Sequence, residues 1–554
     1  MASATAAAAL EPVWVLDAHG AWSAGQRVPA ANRNAAEVLR DGEEDSAIVP
    51  VEQVASRNGA DQDLVPDLAQ LVHLSEPCLL HTLARRYATE SIYTYTGRIV
   101  IALNPFSWTV SRPLYAPSLR RHYRRDDDNG AALPPHLFAL AERAHRAVRR
   151  GAGDQTVLVS GESGAGKTEA VKLLMQYLST GAEDATADAT SSAADAGGGV
   201  EGDERADASG ETGLAPYRGV GAAGADGGAG SATATVAARV LATNPLLEAF
   251  GNAVTLRNAN SSRFGKFLTM MLTDSGATVC GAAVHVYLLE KSRVIRRQCG
   301  ERSFHVFYQM LNGRCATSTP TPHGTASATD FAYLTEDAAA APPATDALAS
   351  EAAARDGARL QVTVEAMARV GLSAAETTSV WHVLSAILLL GQIEFQLVGA
   401  TPDEPTGGLS SSLGEERCTV AADCGGSLAR VGELLGVCSS EELGRALTTR
   451  CLVTREEEVI VQLSLQQAAD SRDALAKALY GRLFAWLVSK CNMTVAPAAG
   501  VERVSIGILD IFGFESFQHN SFEQVRACCT PTPARASVRH SSRPMESLPV
   551  AMAC

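Results

Sequence analysis

The sequence predicts an α/β fold with a mostly parallel central sheet and large helical insertions. Three observations predict it. Thr156-Val157-Leu158-Val159 is a short apolar run followed by the G-x-x-x-x-G-K-[ST] loop Gly161 to Thr168. Val171, Leu174, Met175 and Leu178 then recur at the i, i+3, i+4, i+7 spacing of a helix face. Two more apolar runs, Phe267 to Leu272 and Val504 to Leu509, each adjoin a polar, glycine-containing motif. Ligand loops of open α/β sheets lie at strand carboxyl ends, so these runs read as strands of one sheet.

In chain order, residues 12–28 read as two short strands around a turn at Gly20-Ala21. The core begins near Leu64. Its first insertion, 181–235, is rich in Ala, Gly, Asp and Ser, which predicts a disordered loop because it has too little apolar surface to offset ordering entropy. Thr335 to Ala354 and Gly399 to Gly426 read as loops, and Leu360 to Phe395 between them carries helical periodicity. After Gln524 the helical period stops, and Pro531 and Pro533 would end any helix that entered.

Strand, glycine loop and helix together are the setting of a phosphate-binding loop, so the chain reads as a P-loop NTPase. Backbone N–H groups of Gly161, Glu162, Ser163, Gly164, Ala165 and Gly166 would turn inward around an anion at a helix N-terminus. Lys167 would reach the β/γ-phosphates, and the Thr168 hydroxyl would ligate Mg²⁺. Such an enzyme needs a second hydroxyl on the metal, an acid beyond a strand end and groups that sense the γ-phosphate. Ser262, in Asn258-Ala259-Asn260-Ser261-Ser262-Arg263-Phe264-Gly265-Lys266, can fill the first place. Asp510 and the Gly513 N–H, in Asp510-Ile511-Phe512-Gly513-Phe514-Glu515, can fill the others.

In this order the three motifs resemble the P-loop, switch I and switch II of the myosin head. Further similar segments are Ala102-Leu103-Asn104-Pro105-Phe106, Asn244 to Ala253, Leu288-Leu289-Glu290-Lys291-Ser292-Arg293-Val294, and His305 to Gln309. The similarity runs from about residue 64 to 524. Kinesin shares the loop order but carries Ser-His and Ala-Gly-Ser-Glu where this chain has Phe264-Gly265 and Phe512-Gly513-Phe514-Glu515. The resemblance implies an actin-based motor head that binds and hydrolyses ATP with Mg²⁺, in the cytoplasm on the cytoskeleton, with F-actin as partner. It implies phosphate contacts from Asn258, γ-phosphate contacts from Ser261 and the Gly513 N–H, and an Arg263–Glu515 pair that closes the site. Thr168 and Ser262 would ligate Mg²⁺, Asp510 would hold a metal-bound water, and Asn104, Pro105 and Tyr115 would lie on the adenine side. It also implies a small SH3-like barrel within residues 1–60. Ala259 and Val254 replace an asparagine and a lysine common in the family. By the same resemblance Glu457 would fall on the actin-facing loop, the alternative being a solvated acidic run in Arg455-Glu456-Glu457-Glu458. Residues 525–554 read as a non-homologous, unstructured tail, so the head is expected to be incomplete. The alternative is a non-motor fragment that holds ATP or ADP without driving movement.

Composition excludes other classes. The net charge of −14 gives no support to nucleic-acid binding, and residues 181–235, with ten acids and two arginines, carry eight of those charges. Twelve cysteines without a C-x-x-C pair suggest reduced thiols. The longest apolar stretch, Val380 to Leu390, is far short of a membrane span.

Overall fold

The computed structural model describes residues 10–28, 35–107, 109, 113–125, 133–162, 164–179, 236–256, 258–273, 278–313, 327–335, 346–398, 417–436, 439–453, 458–497, 503–510 and 550–553. The insertion at 181–235 lies outside them. At the N-terminus, β1 (Glu11–Leu16) buries Val13, Trp14 and Val15 in succession and exposes Glu11 and Pro12. It pairs with β2 (Trp22–Val28) across a turn in which the Asp17 carboxylate accepts from the His19 and Ala21 N–H groups and Gly20 takes φ +80°. The sequence reading had only these two strands. Three more, β3 (Ala35–Arg40), β4 (Ala47–Pro50) and β5 (Val54–Ser56), complete an antiparallel sheet in the order β4-β3-β2-β1-β5. Its own small core is Val13, Val15, Ala36, Val38 and Val49.

The central sheet has seven strands: β6 (Tyr93–Thr96), β7 (Ile99–Ala102), β8 (Gln155–Ser160), β11 (Gly265–Thr273), β12 (Val279–Tyr287), β17 (Arg503–Asp510) and β18 (Val550–Ala553). Their order is β12-β11-β17-β8-β18-β7-β6. The three inner pairings, β17–β8, β8–β18 and β18–β7, are parallel, whereas β12–β11, β11–β17 and β7–β6 are antiparallel. The expectation of a mostly parallel sheet is corrected to a mixed one with a parallel heart. For two of the three antiparallel pairs the reason is connection length: only about two residues separate β6 from β7 and about five separate β11 from β12, which only antiparallel neighbours permit. A further correction concerns the tail, since residues 550–553 form a strand between β8 and β7.

Helices cover the sheet. Those N-terminal to or beside the glycine loop are α1 (Glu76–Ala88), α2 (Pro117–Arg125), α3 (Leu137–Arg149), α4 (Lys167–Ser179) and α5 (Val236–Gly251). Then come α6 (His305–Asn312), α7 (Asp346–Arg369), α8 (Ala374–Leu390), α9 (Gly425–Leu435), α10 (Ser440–Thr448) and α11 (Leu465–Val495). The expected loop at 335–354 is helical from Asp346, because an alanine-rich run following Pro342-Pro343 has high helix propensity. Likewise, within 399–426, residues 417–420 form β14, which pairs with β13 (Phe395–Val398), and α9 starts at Gly425. Capping boxes at Ser373–Glu376 and Ser464–Gln467 set the starts of α8 and α11. On α11, Tyr480 stacks on Phe304 and donates to the Phe250 carbonyl at 2.7 Å. The Asn492 amide pairs with both the N–H and the carbonyl of Val284, so a side chain covers the outer edge of β12. Among the described residues, no helix is long and apolar enough to cross a membrane.

Candidate nucleotide-binding site

Parallel pairing of β8 and β17 sets Val159 opposite Asp510, so the glycine loop and the acid leave the sheet at the same end. Within the loop, Gly164 and Gly166 take φ +87° and +92°, a left-handed backbone that side chains other than glycine's rarely adopt. The Ala170 N–H donates to the Gly166 carbonyl, which starts α4 with Thr168 in its first turn. Lys167 folds back across the loop, its Nζ donating to the carbonyls of Gly161 and Glu162, both at 2.7 Å. The cation therefore spans the concavity that the loop encloses. Ser163 lies outside the described residues.

Two asparagines bracket the loop. Asn104 Nδ2 donates to the Gly164 carbonyl at 2.9 Å, and its Oδ1 accepts from the Phe106 N–H. On another side, Asn258 Nδ2 lies 3.8 Å from where a Gly164 Cβ would stand. An open cleft of about 480 Å³ runs between α1, Leu103 to Phe106 and the loop, lined by Tyr87, Asn104, Phe106, Glu162 and Gly164. Pro105 lies within the same connection. Tyr115 is farther into an aromatic cluster: its hydroxyl meets that of Tyr93 at 2.7 Å, and its ring packs on His136 and Phe138.

The 252–264 segment forms a short ribbon in which β9 (Asn252–Ala253) pairs with β10 (Ser261–Ser262). The Asn258 Oδ1 accepts from the Asn260 N–H, closing the turn. Asn260 Oδ1 in turn accepts from Asn252 Nδ2 and from His305 Nε2, each at 3.0 Å. Burial, then Arg359 and Arg302, holds His305 down to about 3, so it is a neutral donor. Gly251 is required here by close approach, because a Cβ would stand 2.2 Å from the Phe264 ring. Buried Arg263 donates from Nη1 to Ser261 Oγ at 3.1 Å and from Nε to Glu290 Oε2 at 2.6 Å. Gly513 and Glu515, and with them the expected Arg263–Glu515 pair, lie outside the described residues, as does Glu457.

The donor set fits a magnesium ion. Ser262 donates its proton to the Phe264 carbonyl at 3.1 Å, which leaves its oxygen lone pairs for a cation. Among the described residues no group of three His, Cys, Asp or Glu is assembled. Burial pushes the Asp510 carboxyl up, opposed by the positive charges of Lys167 and Lys266. Lys266 was unmarked in the sequence reading. It stands opposite Asp510 in the β11–β17 register and donates to Asn244 Oδ1 at 2.9 Å. Glu290 was also missed, although its motif was recognised. Its nearness to Arg263 across 27 residues has no local sequence signal.

The myosin head (motor domain) family matches residues 65–529. The chain is 35% identical to the myosin-J heavy chain of Dictyostelium discoideum, with 92% of this chain and 21% of that protein covered. It is 35% identical to unconventional myosin-Ia of Gallus gallus, covering 84% and 37%. With human unconventional myosin-Ib it shares 36% identity, covering 83% and 34%. The chain thus spans about a fifth to two-fifths of the length of these relatives.

Proposed function

The chain belongs to the myosin head family, and on that premise we propose that it forms the nucleotide-binding part of an actin-based motor that hydrolyses ATP with Mg²⁺. The observation that carries this reading is the convergence of Asn104, Asn258, Lys167 and Asp510 on one loop at one end of the sheet. On ATP binding, the Lys167 ammonium exchanges two neutral carbonyls for phosphate oxygens, a stronger charge-assisted contact. N–H groups of 161–168 orient the triphosphate, and Asn258 adds a contact from the facing turn. Magnesium, held by Thr168 and Ser262 with Asp510 on one of its waters, would neutralise charge on the β- and γ-phosphates. The Ser261 oxygen accepts from Arg263, which holds the hydroxyl in place for a γ-phosphate contact. Gly513 and Glu515 complete the reading from the second switch, with Glu515 pairing with Arg263 to exclude bulk water.

On the same premise, the N-terminal five-stranded sheet is an SH3-like module, Asn104, Pro105 and Tyr115 mark the adenine side, and the cytoskeleton is the place of action. Titration of residues 1–554 with a fluorescent ATP analogue, with and without Mg²⁺, tests the nucleotide part. Co-sedimentation with F-actin, with and without ATP, tests the partner. Saturable, Mg²⁺-dependent binding and ATP-sensitive pelleting are expected; absence of both overturns the reading.

A further inference from the structure

Arg263 belongs to a buried ionic chain. Glu290 Oε2 accepts from Arg263 Nε at 2.6 Å and from Arg293 Nε at 2.9 Å, and Arg293 Nη2 reaches Glu301 Oε2 at 2.8 Å. The side chains of Arg263, Glu290, Arg293 and Glu301 are 6%, 12%, 2% and 2% exposed. Among the described residues, two cations and two anions of this chain stand in contact, the pairing that burial of charge favours. The backbone follows the same path: the Glu290 N–H donates to the Arg263 carbonyl at 3.0 Å, and the Arg302 N–H donates to the Val254 carbonyl at 3.0 Å. Segment 290–302 therefore clasps both ends of the 254–263 turn. Arg293 is anchored in turn, since its Nη1 donates to the Arg302 carbonyl and its own carbonyl accepts from Ser303 Oγ.

Resting on the nucleotide-site reading above, we propose that Glu290 is a positioning residue for phosphoryl transfer, acting through Arg263 on Ser261. A guanidinium is planar, and here Glu290 takes Nε while Ser261 takes Nη1. Contacts at two different nitrogens fix both the tilt and the rotation of the plane. Glu290 thereby sets the Arg263 nitrogen that holds the Ser261 oxygen, and so sets where that oxygen stands. Burial pushes the Glu290 carboxyl up, but Arg293 and Arg263 outweigh it and hold the group charged. Loss of that charge leaves two buried arginines competing for a neutral acceptor.

The test is a double-mutant cycle on residues 1–554 with E290Q, R263A and the pair. Glu290→Gln is expected to slow single-turnover ATP hydrolysis by at least about 30-fold while Mg·ATP affinity changes less than about threefold. Added to R263A, it should slow hydrolysis no further. Amide exchange supplies a readout independent of turnover: E290Q should raise exchange at 258–263 about tenfold and leave 161–168 unchanged, again without adding to R263A. Additive losses, unchanged hydrolysis in E290Q, or exchange rising equally in β8 and β17 would overturn the proposal and mark Glu290 as a mere structural ion. Should the unsubstituted chain bind ATP without hydrolysing it, the hydrolytic part of the functional reading fails, and the exchange cycle still decides Glu290. If E290Q does not fold, Glu290→Asp, which keeps the charge and withdraws it by one carbon, is run through the same cycle with the same criteria.

Discussion

Lys167→Ala separates binding from stability. In the structure the amine is partly buried and donates to the loop carbonyls of Gly161 and Glu162. Water can replace the donor at those carbonyls, so its removal costs the fold on the order of 1 kcal/mol. The nucleotide feels a larger effect. A hydrogen bond to a charged group contributes about 1.5–3 kcal/mol, which corresponds to about a 10- to 150-fold loss of affinity. Loss of the cation also removes one of the two positive charges that oppose protonation of Asp510. The assay pairs a fluorescent-nucleotide titration with a urea unfolding curve on the same preparation. Affinity should fall by one to two decades while the unfolding midpoint moves little. An unchanged dissociation constant would refute the phosphate-loop assignment. A large loss of stability would show that Lys167 belongs to the fold.

Other outcomes follow from the same geometry. Tyr480→Phe removes the hydroxyl that donates to the buried Phe250 carbonyl and should cost about 1–3 kcal/mol in a urea titration. Burial holds His136 down to about 4, as it holds His305 to about 3, so below pH 6.5 the unfolded chain takes up protons that the folded chain refuses. Stability contributed by each is therefore present above pH 6.5 and falls by up to about 2 kcal/mol between pH 6.5 and 5, measurable as a shift of the urea midpoint. Flat stability across that window would place both imidazoles in contact with water. Deletion of 181–235 should leave ATP-analogue affinity within about twofold, because a segment of that composition contributes little core; a greater loss would show that it folds against the pocket.

What the residues determine locally was legible without coordinates. The loop at 161–168 demands left-handed backbone at Gly164 and Gly166, and only a short list of residue types supplies that conformation beside a lysine and a hydroxyl. The strands before Gly161 and ending at Asp510, and the helix after Lys167, follow from apolar spacing alone. Non-local pairing was not legible. Strand order, the antiparallel flanks of the sheet and the placement of 550–553 depend on which edges meet, and period-two patterning is the same for either direction. Of the extra N-terminal strands, β4 and β5 have four and three residues, too few for alternation to speak. Lys266 beside Asp510 and Glu290 beside Arg263 are products of tertiary structure. Charges become partners only when folding removes the water between them, and sequence separation carries no trace of that distance.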